Sequence, residues 1–317
     1  MIAKCIGLRG LTVNTKRTAK SDWAIWGHNV LNTENWCVTD SRPYVGRFAP
    51  TPSGPLHFGS LVAAAGSWLD ARVHSGQWRL RIDDLDSQRI APGSIHSILK
   101  TLERFGLVWD GEVLYQSSRF DAYFEALNTL GEARKTFPCS CTRKQLSGFE
   151  IYPGTCRGEY NVEPRSIRFS VGLGTVNWMD AGLGLMKKDL ASEIGDFVLR
   201  NAHGVYGYHL ANVVDDIHQG VTHVVRGADL APFTAAHILL QETLGGDKVQ
   251  YHHLPLAVDE RGRKLSKQTH APAVDLMSTH SALQAVFVHL KLPMVEQGTS
   301  EAMLADAIVH WRNRPRR

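Results

Sequence analysis

The residues best placed for chemistry lie in Pro43 to Leu69, PYVGRFAPTPSGPLHFGSLVAAAGSWL, where His57 and Gly59 stand between a proline- and glycine-rich turn and a helix. Tyr44 to Phe48 reads as a buried strand, and Pro50, Pro52, Gly54 and Pro55 punctuate a fixed loop. Leu61, Val62, Ala65, Trp68 and Leu69 then recur at helical spacing. A strand that turns directly into a helix makes a nucleotide site, because the helix N-terminus offers unpaired N–H groups and a partial positive charge. Gly59 lets a ligand lie close to the backbone. Farther on, Lys264-Leu265-Ser266-Lys267-Gln268 forms a lysine loop, and a lysine that closes on phosphates stabilises charge on a phosphate leaving group. Each stretch alone also has a plain reading, as a turn histidine and as lysines that only aid solubility.

The elements around these residues supply more charge. Trp78, Leu80 and Ile82 alternate with Arg79, Arg81 and Asp83, a strand that ends in Asp83-Asp84-Leu85-Asp86. Carboxylates there face the crevice of an open α/β sheet, unless they merely cap the next turn. Pro92 opens a helix whose stripe of Ile95, Ile98, Leu99, Leu102 and Phe105 is core, stopped by Gly106. Tyr123, Ala126, Leu127 and Leu130 mark another amphipathic segment. Phe197 to Arg200 reads as a strand, Asn201 to Gly204 as a turn, and Thr222 to Gly227 as a strand that places the Arg226 guanidinium at the sheet edge. A surface ion pair is the alternative for Arg226. Pro255 to Val258 reads as a short strand, Ala282 to Leu290 and Glu301 to His310 are patterned as helices, and the terminal WRNRPRR reads as solvated or touching phosphates.

Cys139, Cys141 and Cys156 bring three thiols close in sequence, among turn-forming Gly and Pro, and could surround one tetrahedral ion if a fourth donor joins them. Ordinary reduced cysteines are the alternative. The 317 residues, 43% hydrophobic, suffice for a sizeable core. No apolar run of about eighteen residues and no secretory signal occurs, so a cytoplasmic protein without a membrane partner is expected, and a monomer. A formal charge of +4 is compatible with a nucleic-acid partner without requiring one. Five cysteines, an odd number, argue against a disulfide framework. Residues 1–42, with Cys5 and Cys37, lack periodicity and are expected to be a poorly ordered extension.

His57-Phe58-Gly59-Ser60 resembles the HIGH signature of class I aminoacyl-tRNA synthetases, GRFAPTPSGPLHFGS resembles its glutamyl version, and KLSKQ resembles the KMSKS loop. The resemblance runs from Tyr44 to the end of that loop. It implies an α/β fold: a Rossmann-type parallel-sheet catalytic domain in two halves, 43–135 and 195–268, around a zinc-binding insertion, 136–194, with a helical segment, 269–317. It implies that His57 and Lys267 are catalytic, and that ATP, with Mg2+, is bound by His57, Gly59, Ser60, Lys264, Ser266 and Lys267. Glutamate falls to Arg47, Phe48, Ala49, Pro50, Thr51, Asp83, Tyr208 and Arg226. Position 83 departs from the family's RIED, where Glu holds the amino acid's ammonium, which puts that contact's geometry in doubt.

The thiols, with Tyr152, resemble the Cys, Cys, Tyr, Cys zinc set of the glutamyl-Q tRNA(Asp) synthetase family, where Zn2+ would be structural. Tyrosine enters through that resemblance alone, since a neutral phenol is a poor zinc ligand. About fifty residues follow Gln268, too few for an anticodon-binding domain of the usual size. The implied reaction is activation of L-glutamate by ATP and transfer of the glutamyl group to queuosine in the anticodon of tRNA(Asp). Other readings are a truncated glutamyl-tRNA synthetase that charges the 3' end, a nucleotidylyltransferase for a non-tRNA substrate, and a catalytically silent binding module.

Overall fold

The protein is seen in a computed structural model that describes residues 42–158, 163–257, 274–294 and 298–314. In chain order the elements are β1 (Val45–Phe48), α1 (Phe58–Val73), β2 (Gln77–Ile82), α2 (Ser94–Arg104), β3 (Leu114–Tyr115), α3 (Phe120–Glu132) and β4 (Thr136–Cys139). Next come β5 (Ser166–Phe169), β6 (Thr175–Asp180), β7 (Gly184–Asp189), β8 (Val198–Arg200), α4 (Tyr208–His218) and β9 (His223–Gly227). The chain continues through α5 (Thr234–Thr243), β10 (Gln250–Leu254), α6 (Thr279–His289) and α7 (Ser300–Asn313).

Strands β1, β2 and β3 run parallel, with Val45 opposite Gln77 and Phe48 opposite Leu80. Strands β9 and β10 also run parallel, β6 joins β10, and β7 folds back on β6 as a hairpin. Thr222 stitches the two sets together: its N–H donates to the Val45 carbonyl at 2.9 Å, and its hydroxyl accepts from the Val45 N–H at 2.9 Å. The chain therefore leaves β1 towards β2 on one side and has β9 on the other. The carboxyl ends of β1 and β9 form the switch point at which open α/β sheets bind ligands. A separate antiparallel sheet, β4-β5-β8, lies next to the cysteines.

Consecutive strand residues face opposite sides, so Val225 joins a core with Leu61, Leu69, Trp78, Phe105, Phe287 and Trp311, and Val224 joins one with Tyr123, Phe169, Leu199, Leu210 and Leu240. Each such large apolar side chain contributes about 1.5–3 kcal/mol through burial. Helix α1 can approach β10 closely because residue 66 is glycine: a Cβ there would stand 2.5 Å from Leu254. Among the described residues no helix is long and apolar enough to cross a membrane.

Three sequence expectations are corrected. The strand expected at Pro255 to Val258 is Gln250–Leu254 instead, because Pro255 has no N–H to give a ladder; Val258 lies outside the described residues. Helix α2 starts at Ser94 behind the left-handed Gly93 (φ 72°), not at Pro92. For the basic tail the correction concerns Arg314 alone, which is partly buried, 3.3 Å from the Trp311 ring and 3.2 Å from His252, whereas Arg312 is exposed as the solvated reading expects.

Candidate active site

His57 is the N-cap of α1, where its Nδ1 accepts from the Ser60 N–H at 3.2 Å and its Nε2 lies 3.1 Å from the Ser60 hydroxyl. The loop before it is tied to the end of β2, since Asp83 donates its N–H to the Pro50 carbonyl at 3.0 Å and Ala91 to that of Pro52 at 3.0 Å. This places Ala49, Pro50 and Thr51 beside Asp83. Phe48 turns its ring into the core, stacked 6.1 Å from Trp78, so only its backbone faces the cleft. Lys264, Ser266 and Lys267 lie outside the described residues, as do Cys5 and Cys37.

The acidic cluster splits into three roles. Asp86 caps the next turn through Gln88, Asp84 accepts from the Ser117 N–H and hydroxyl at 2.8 and 2.7 Å, and Asp83 accepts from Arg81 Nε at 2.8 Å. Burial raises the Asp83 carboxyl to about 6 despite the opposing charge of Arg81, with the nearby Asp215 adding to the rise. Arg81 also donates to Asp216 at 2.6 Å, and Arg47 Nε meets both Asp216 oxygens at 3.2 and 3.3 Å. Asp216 is buried, which alone would raise its carboxyl, but Arg47 and Arg81 hold it below the ordinary value. Because Asp216 takes only Nε, the two terminal nitrogens of Arg47 have no partner among the described residues and form a fork suited to a carboxylate. Asp215 accepts from Gln116, Tyr123 and Arg119 at 2.8, 2.8 and 3.1 Å, which ties α4 to α3 and the segment before it.

Arg226 sits across the switch point in different company. Its Nε donates to His253 Nε2 at 3.1 Å, one terminal nitrogen donates to His237 Nδ1 at 3.2 Å, and the other donates to the Leu230 carbonyl at 3.2 Å and the Thr234 hydroxyl at 2.8 Å. Four of the five guanidinium N–H groups are thus used among the described residues, which leaves one on the nitrogen nearest His237. No carboxylate pairs with Arg226 among the described residues, although only 4% of the residue is exposed. Burial first, then the charge of Arg226, pushes His237 well below the usual imidazole range and His209 down to about 4, so both are neutral neighbours. Tyr208 opens α4 at the mouth of this group, 38% exposed and with its ring 5.4 Å from that of His237. The fold therefore brings Arg47, Asp83 and Arg226 close enough to act electrostatically on Tyr208, and Arg47 close enough to act on Asp83.

The cysteines gather as well. The Sγ atoms of Cys139, Cys141 and Cys156 lie within 4.8 Å of one another, with Cys141 and Cys156 3.6 Å apart. The Tyr152 hydroxyl is 3.5 Å from Cys139 and 3.8 Å from Cys141. Zinc–sulfur bonds of about 2.3 Å in a tetrahedron separate sulfurs by about 3.8 Å and put an oxygen ligand about 3.5 Å from them. The Cys141–Cys156 and Tyr152–Cys139 distances match this, the three sulfurs together are looser, and the cluster could hold a metal ion. Burial pushes the Cys156 thiol up, but bonds from Tyr152 and Ser140 outweigh it and bring it down to about 6.

Arg81, Asp180, Asp216, Thr234, His237 and His253 were not singled out from the sequence. Two adjacent carboxylates, Asp215 and Asp216, at the end of an apolar run were the available signal for one of them. Apart from Arg81, whose partner Asp83 lies two residues on, the rest had none, because their partners are brought in by the fold.

The family model for tRNA synthetases class I (E and Q), catalytic domain, matches residues 44–150 and 154–288. The chain is 46% identical over 280 residues to the glutamyl-Q tRNA(Asp) synthetase of Aromatoleum aromaticum (strain DSM 19018 / LMG 30748 / EbN1), which covers 85% of this chain and 89% of that protein. It is 48% identical over 280 residues to the protein of the same name from Pseudomonas putida (strain W619), covering 87% and 95%. The crystal structure of a glutamate tRNA ligase from Elizabethkingia meningosepticum CCUG26117 in complex with its amino acid matches with a TM-score of 0.65 at 30% identity, over 75% of this chain. The chain spans about half of that ligase, 53% of its length.

Proposed function

The chain belongs to the class I tRNA synthetases of the glutamyl and glutaminyl group, and from that premise we propose that it activates L-glutamate with ATP and transfers the glutamyl group to queuosine in the anticodon of tRNA(Asp). Arg226 carries the reading. Among the described residues this buried guanidinium is held by neutral acceptors alone, which is costly without a counter-ion, and the carboxylate of an amino acid supplies one.

In the first step the glutamate α-carboxylate attacks the α-phosphorus of ATP. A new C–O–P linkage forms, the bond to the β-phosphate oxygen breaks, and pyrophosphate leaves. The fork of Arg47 and the remaining N–H of Arg226 hold glutamate oxygens, Tyr208 closes over them, and Asp83 accepts from the ammonium. His57 and the first turn of α1 face phosphate oxygens, where fixed donors stabilise charge as it shifts to the leaving group; Lys267 joins them by its place in the motif, and magnesium accompanies the ATP. In the second step a nucleophilic group on the modified base attacks the glutamyl carbonyl, and AMP leaves.

Zinc would be held by Cys139, Cys141, Tyr152 and Cys156, where it would cross-link the segment between β4 and β5.

Glutamate-dependent exchange of pyrophosphate into ATP tests the activation step. Glutamine leaves a charged donor poorly paired, so it should exchange roughly tenfold to a hundredfold less efficiently for each such contact. Equal rates with the two amino acids would remove the arginines from side-chain recognition, and no exchange with glutamate would contradict the proposal.

A further inference from the structure

Asp180 closes β6, far in sequence from either arginine, yet it ends beneath one of them. One of its oxygens accepts three backbone N–H groups, from Gly182 at 2.9 Å, Leu183 at 3.0 Å and His253 at 3.1 Å. The other faces His253 Nδ1 at 2.5 Å. An ionised carboxylate only accepts, so Nδ1 carries the imidazole proton and Nε2 keeps its lone pair. Arg226 Nε donates to that lone pair at 3.1 Å. The Thr234 hydroxyl bridges the same two groups, accepting from Arg226 at 2.8 Å and lying 3.2 Å from His253 Nε2. Asp180, His253 and Thr234 are at most 1% exposed, so a mispaired group there has no water to turn to.

We propose that Asp180 and His253 are positioning residues for glutamate: Asp180 fixes the His253 tautomer that holds the Arg226 guanidinium in the plane from which it meets the substrate carboxylate. This rests on the reading of Arg226 as a glutamate ligand. It also means that the β6–β7 hairpin reaches the amino-acid pocket through one carboxylate, without touching substrate.

Asp180→Asn separates positioning from support of the hairpin. The remaining carbonyl oxygen can still accept the three backbone N–H groups, and the amide nitrogen then faces His253 Nδ1. His253 must accept at Nδ1 and carry its proton on Nε2, which turns an N–H towards the N–H of Arg226. In the full-length protein, the glutamate KM from pyrophosphate exchange should rise roughly tenfold to a hundredfold, with the ATP KM changed by less than about twofold. The ¹⁵N shifts of the His253 ring should report the proton moving from Nδ1 to Nε2. An unchanged glutamate KM in the folded variant, or a proton already on Nε2 in the parent protein, would overturn the inference.

Arg226→Ala keeps the two failures apart. If it leaves the glutamate KM unchanged, the reading of Arg226 falls; if it raises that KM while Asp180→Asn does not, only the positioning role falls. Should Asp180→Asn not fold, His253→Gln and His253→Leu decide. Gln keeps an acceptor for Arg226 and should bind glutamate several-fold better than Leu, whereas equal KM values would overturn the proposal.

Discussion

Around Arg226 a guanidinium is buried against neutral acceptors, whereas around Tyr152 three thiols crowd one another and a phenol. The two regions carry opposite deficits. The first gathers positive charge that an anion completes, and the second gathers groups that become negative when a cation binds. They also differ in how far the protein organises them by itself. In the pocket, Asp216 lies between Arg47 and Arg81 and sets both in place without any ligand. Among the described residues the thiols have one guanidinium beside them, that of Arg168, which lies 4.0 Å from the Tyr152 ring; burial raises the Cys139 thiol, but Tyr152 and Arg168 together bring it below its ordinary value. Such a pocket is preorganised by its own ion pairs, whereas such a thiol group would gain further order from a bound metal.

The largest effect that separates the two regions is metal removal. Zinc at a thousand times its Kd would stabilise the folded chain by about 4 kcal/mol, so a strong chelator should lower the melting temperature by several degrees and release about one zinc per chain. Glutamate-dependent exchange, measured below the melting transition, should persist. If exchange fell in step with the released zinc, the two regions would not be independent.

A smaller effect sharpens the electrostatic side. Asp83 titrates near 6, above its ordinary value of 3.8, because it is buried. The folded chain therefore holds an extra proton between those values, and the contribution of Asp83 to stability is full below about 3.8 and is lost as pH rises through about 6. Ammonium binding has the opposite sign, since it needs the carboxylate. The glutamate KM should rise about tenfold between pH 7 and pH 5. In Asp83→Asn it should be high and nearly flat over that range. A parent profile as flat as the variant's would remove Asp83 from the ammonium contact.

Much of this was legible in the chain because it is local. The alternation in Trp78, Leu80 and Ile82 gave β2, helical spacing from Leu61 to Leu69 gave α1, and the cysteine spacing anticipated a cluster. The pairings that shape the pocket were not legible, because they are made between distant residues: Arg47 meets Asp216 across 169 positions and His253 meets Asp180 across 73. Strand β10 was misplaced for a related reason. Its paired histidines face opposite sides, His252 towards Arg314 and His253 towards Arg226, and two polar residues in a row hide the alternation that marks a strand. That no carboxylate among the described residues pairs with Arg226 is a property of three dimensions alone.

The central claim joins the proposed glutamate pocket to a modified base. It is tested most directly by supplying labelled glutamate and ATP to total tRNA from cells that make queuosine and from cells that cannot. The account predicts label only in the queuosine-containing pool. Equal labelling of both pools would contradict it and assign the chain to charging of the tRNA 3' end.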